Sequence, residues 1–157
     1  MKKIYCFFVV ICFSISAFAQ KGTINYLNDN PQYGNILLGD SITKYLTVCN
    51  LLEEKGNGCF KCEVSEPSKE CYKVGGISPF VVFVDVQNYL IKNILVYFKL
   101  SQCVDVLRAV TETYGKSNLM DDNATSYWYG KNANITVGVQ GSKASYIIFS
   151  SIKVKHP

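Results

Sequence analysis

Past a nearly unbroken apolar stretch from Ile4 to Ile15 and a polar run over 20–35, the chain settles into regular rhythms. Ile42, Tyr45, Leu46, Cys49 and Leu52 recur at helical spacing behind Asp40 and Ser41, two good helix caps, and Gly56 or Gly58 stops the run. The spacing predicts a helix over 41–54 and an extended lead-in before it. Residues 55–71 follow as a loop. Residues 80–86 and 89–100 are β-branched and aromatic runs parted by Gln87-Asn88, the mark of a β-hairpin. Ser101 opens a second predicted helix with Cys103, Val106, Leu107, Val110 and Tyr114 on one stripe and Gly115 behind it. A polar loop over 115–125 precedes three further strands, 126–129, 135–139 and 145–154, separated by Gly130-Lys131-Asn132 and Gly141-Ser142-Lys143.

The predicted order is α-β-β-α-β-β-β. A helix must bury its stripe, and only a sheet is large enough here to receive it. The expected fold class is therefore α+β: a two-layer sandwich, an antiparallel sheet with two helices on one face. Residues 36–100 and 101–157 read as tandem α-β-β-β units within one domain over 20–157.

The hairpin is apolar on both sides. One face of its second run holds Leu90, Ile94, Val96, Phe98 and Leu100, interrupted by Lys92; the other reads Tyr89, Ile91, Asn93, Leu95, Tyr97 and Lys99. In the first run Phe80, Val82, Val84 and Val86 oppose Val81, Phe83 and Asp85. Two helices cover one side only. Either the lead-in, with Ile24, Tyr26, Leu27, Ile36 and Leu37, folds over the rest, or an aromatic patch meets a partner. Phe83, Tyr89, Ile91, Leu95 and Tyr97 are the candidate binding residues.

The apolar stretch changes the picture of where this protein works. Lys2 and Lys3 precede it and Ala17-Phe18-Ala19 ends it, the small-x-small pattern of signal peptidase cleavage. Residues 1–19 read as a signal peptide, with a periplasmic or secreted product. The run is too short for the ~20 residues of a membrane span, and no membrane span is expected after cleavage. Without that segment, 14 Lys and Arg face 12 Asp and Glu, with no basic block of the kind nucleic-acid binders show. No nucleic acid is expected, and the partner is another envelope protein or a second copy of the chain.

Five of the seven cysteines lie beyond the signal. Cys49, Cys59, Cys62 and Cys71 cluster with spacing C-x9-C-x2-C-x8-C, and an oxidising compartment makes them disulfide candidates in any of three pairings. The rivals are reduced thiols, a four-thiolate metal site with one C-x-x-C knuckle instead of two, and redox work by Cys59 and Cys62. Cys103, on the second helix stripe, reads as a buried free thiol.

Catalytic patterns are sparse. His156, the one histidine, lies in the tail, so a Ser-His or Cys-His nucleophile lacks its base. Ser41-Ile42-Thr43-Lys44 matches S-x-x-K, but Ser41 as a cap explains the same letters. Asp121-Asp122-Asn123 reads as a solvated loop, and Trp128 as core. No phosphate-binding glycine loop occurs, and no cofactor is expected.

Leu38-Gly39-Asp40-Ser41-Ile42, and Tyr114-Gly115-Lys116 followed by Tyr127-Trp128-Tyr129, resemble the SmpA/OmlA-type lipoproteins of the outer-membrane assembly machine. The tandem order is similar to the β-lactamase inhibitor protein. The resemblance carries architecture only, and both families bind proteins. The expectation is a small exported, non-enzymatic binding protein engaging a protein at the cell envelope. The alternative is a thiol-disulfide or metal-handling protein using the Cys49–Cys71 loop, and a third reading is a small hydrolase.

Overall fold

The computed structural model describes residues 22–152; the predicted signal peptide and His156 lie outside them. The described chain is mostly β. A short helix α1 (Ile24–Asp29) leads into a two-stranded ribbon, β1 (Gln32–Tyr33) and β2 (Ile36–Leu37). Then come β3 (Cys49–Gly56), β4 (Cys59–Val64), β5 (Val81–Gln87) and β6 (Leu90–Lys99). The helix α2 (Cys103–Tyr114) crosses over to β7 (Leu119–Met120), β8 (Ser126–Tyr129), β9 (Ala133–Gln140) and β10 (Ala144–Ser151). The last eight strands form one antiparallel sheet in the order β3-β4-β5-β6-β10-β9-β8-β7. It is two four-stranded meanders joined through their final strands.

This overturns the two-helix α+β sandwich. The predicted helix over 41–54 is a single 3-10 turn, Ile42–Tyr45, followed by strand β3. Three forces explain it. Residues 39–42 are tied to the start of β6: Ile91 N–H donates to Asp40 O at 2.8 Å and Ile42 N–H to Tyr89 O at 3.0 Å. Thr47-Val48-Cys49-Asn50 is a run of weak helix formers. Gly56, Asn57 and Gly58, all at positive φ, turn the chain so that β3 pairs with β4. Ser41 does cap, accepting from Thr43 N–H at 3.4 Å, but it caps one turn. The segment 55–71, expected to be a loop, contains β4, and the expected extended lead-in contains α1.

The hairpin, the second helix and the meander form as their patterns require. Gly115 ends α2 at φ 85°, and Trp128 is fully buried with its indole N–H donating to Gly115 O at 2.8 Å. One sheet face makes the core: Cys62 and Val64, Val82 and Val84, Ile94, Val96 and Phe98, Ile147 and Phe149, Ile135 and Val137, all buried. Over it lie α2 through Val106 and Val110, α1 through Leu27, and Ile36, Ile42 and Tyr72. The lead-in thus shares the side of the sheet that α2 covers.

Candidate functional site

That placement leaves the other face of the sheet without a layer among the described residues. Its side chains follow from strand pairing, because directly opposed residues share a face. Val81 opposes Tyr97 and Tyr97 opposes Tyr146; Phe83 opposes Leu95 and Leu95 opposes Ile148. Ile148 opposes Thr136, and Thr136 opposes Tyr127. The result is a half-buried row running across β5, β6, β10, β9 and β8. Its aromatic rings touch: Phe83 meets Tyr97 edge-on at 6.0 Å, and Tyr127 stacks on Tyr129 at 6.1 Å and 11°. Five strands at ~4.8 Å spacing and three outward positions per strand make a face of about 24 by 20 Å, on the order of 500 Å². That is the whole face, polar positions included, and it is under the ~800 Å² one partner gives to a standard interface.

Of the five candidate binding residues, Phe83, Leu95 and Tyr97 are on this face. Ile91 is not: it is fully buried in the core. The register slips between Asp85 and Val86, which oppose Asn93 and Ile91, so Lys92 is an extra residue. This β-bulge reverses the alternation and turns Ile91 inward. Tyr89 sits in the β5–β6 turn at φ 62°, exposed, with its ring 6.1 Å from Phe60.

Sequence reasoning passed over the lysines. On the same face, at the turn end of β4, β5 and β6, a hollow of about 360 Å³ is lined by Lys55, Cys59, Lys61, Asp85, Gln87 and Lys92 among others. Lys61 stands 4.3 Å over the Phe83 ring, a cation–π contact. Lys92 Nζ donates to Oε1 of the buried Gln87 at 2.8 Å. Among the described residues none of the three ammonium groups forms an ion pair with Asp85; Lys55 meets Glu53 at 3.9 Å. The available signal was Lys92 itself, a charge interrupting an apolar alternation.

The cysteines do not assemble. All five described ones are free thiols, and among the described residues no three His, Cys, Asp or Glu are grouped to hold a metal. Cys59 and Cys62 lie on a strand, and an odd separation there points side chains to opposite faces. Cys49 and Cys62 share the core; burial, and then the neighbouring Cys62, push the Cys49 thiol up to about 11. A buried thiol so raised is a poor nucleophile. Cys71 is exposed, and Cys103 is half-buried at the start of α2. The S-x-x-K reading fails on geometry, since Lys44 Nζ is held by Asp40 at 3.0 Å. The Asp121 carboxylate closes its own loop, accepting from Asn123 N–H at 3.0 Å, Thr125 N–H at 2.9 Å and Tyr127 OH at 2.9 Å.

The sheet edges are poor docking sites. β3 has two register irregularities and carries Glu53, Glu54 and Lys55, devices that block strand addition, and β7 is two residues long. No protein-family model, no curated protein and no solved structure matches the chain.

Proposed function

We propose that this is an exported binding protein, not an enzyme, and that the uncovered sheet face meets another protein at the cell envelope. One observation carries the reading: Val81, Phe83, Leu95, Tyr97, Tyr146 and Ile148 form a continuous apolar and aromatic row with no described element above it. Aromatic residues dominate interface hot spots because they bury much area at small entropic cost. The guarded edges leave the face as the surface best able to dock.

A photo-crosslinking side chain placed at Ile148, and as a control at Glu112 on α2, tests this in the native envelope. The expected result is a discrete adduct from the Ile148 site alone, lost when Leu95→Glu is added. Equal adducts from both sites, or none, would overturn the proposal. An adduct at twice the mass of this chain would replace the foreign partner with a second copy.

A further inference from the structure

We infer that the lysine hollow at the end of the sheet face is an oxyanion site, receiving a carboxylate or phosphate group borne by the docked protein. It rests on the proposed docking face only for the claim that a protein carries the oxyanion. Lys61 and Lys92 converge from β4 and β6 on one hollow whose lining holds a single carboxylate, Asp85; Lys55, at its β3 rim, is paired with Glu53, which opposes Lys61. Within the lining the ammonium groups outnumber the one carboxylate, and neither Lys61 nor Lys92 is ion-paired among the described residues.

The backbone is shaped for this arrangement. Lys61 and Asn93 each oppose Asp85, so all three share the outer face. Lys92 is the extra residue of the bulge, and bulges re-aim side chains at functional positions. Its ammonium is steadied by Gln87, buried at 6% exposure, which fixes its direction while leaving donors free. Lys61 is steadied from below by the Phe83 ring. Two ammonium groups held at low entropic cost present donors to the two or three oxygens of a carboxylate or phosphate. The hollow also lengthens the aromatic row toward the area that a standard interface needs.

Amide correlation spectra of the purified protein, titrated with inorganic phosphate, glutarate and a tetraglutamate peptide, test the site without the partner. The expected result is saturable shifts confined to Lys61, Asp85, Lys92 and Asn93, weakening as ionic strength rises. Lys61→Gln and Lys92→Gln should each weaken binding about fivefold, the value of one unit charge at ~4 Å in water. Lys92→Arg should retain it. Shifts with phosphate alone would assign a phosphorylated group, and shifts with the carboxylates alone an acidic side chain. Absence of saturable shifts with every probe, or unchanged affinity in the double lysine-to-glutamine variant, would overturn the inference. The titration contains no partner protein and the crosslink no added anion, so either can fail while the other succeeds and the two readings fail separately.

Discussion

Replacing Ile91 and Leu95 one at a time by alanine separates the two faces of β6. Both are aliphatic and strand-borne, four residues apart, and simple alternation puts them on the same side. The bulge puts Ile91 in the core at 0% exposure and leaves Leu95 half-buried on the open face. Deleting a fully buried isoleucine to alanine costs about 3 kcal/mol, transfer plus cavity. At Leu95, neighbours cover only part of the side chain, and its own surface gives about 1 kcal/mol. For the 131 described residues, a kcal/mol moves the midpoint of thermal unfolding by about 3–4 °C. The expected drops are therefore about 10 °C for Ile91→Ala and about 3 °C for Leu95→Ala, followed by circular dichroism. Urea unfolding at constant slope gives the same difference as free energy. Equal losses would refute the bulge and with it the division of faces.

Trp128→Phe should cost about 2 kcal/mol in urea unfolding, because it opens a cavity and strands the Gly115 carbonyl. The native fluorescence should be blue-shifted and move to the red on unfolding, since Trp128 is the only tryptophan and is buried. Tyr33, Tyr72 and Tyr114 have phenols pushed above their ordinary 10.0, each by burial first, Tyr72 to about 12. The folded state holds these protons when the unfolded chain would release them. Their contribution is complete below pH ~10 and falls as pH rises above it. Phenolate absorbance should therefore appear together with loss of the β signal; early absorbance in a still-folded protein would contradict it.

Where local rules and tertiary demands agreed, the elements were legible. The stripe from Cys103 to Tyr114 ending at Gly115 is α2, and the alternations of the meander are β8, β9 and β10. Where they disagreed, the sheet won. Ile42, Tyr45 and Cys49 do pack inward, as a helical stripe would, yet Leu46 and Leu52 are exposed. Their spacing mimicked a helix because a short turn followed by a strand also brings every third or fourth residue to one side. The open face was legible through Phe83, Leu95 and Tyr97. Ile91 was not, because one inserted residue, Lys92, inverts a period-two pattern and leaves no mark except the charge itself. The lysine hollow needed the pairing of three strands, which no single stretch of sequence states.

The strand order has a kinetic consequence. Seven ladders build the large sheet, and six of them join strands that follow one another along the chain; β6 against β10 alone closes a long loop through α2. Each meander can zip by nearest-neighbour steps, whereas the central seam must wait for both, since loop closure is charged before contacts reward it. The strand order predicts that the slow step in folding is the meeting of the two halves: substitutions along that seam, at Val96 or Ile147, should slow refolding more than equally disruptive ones at either margin.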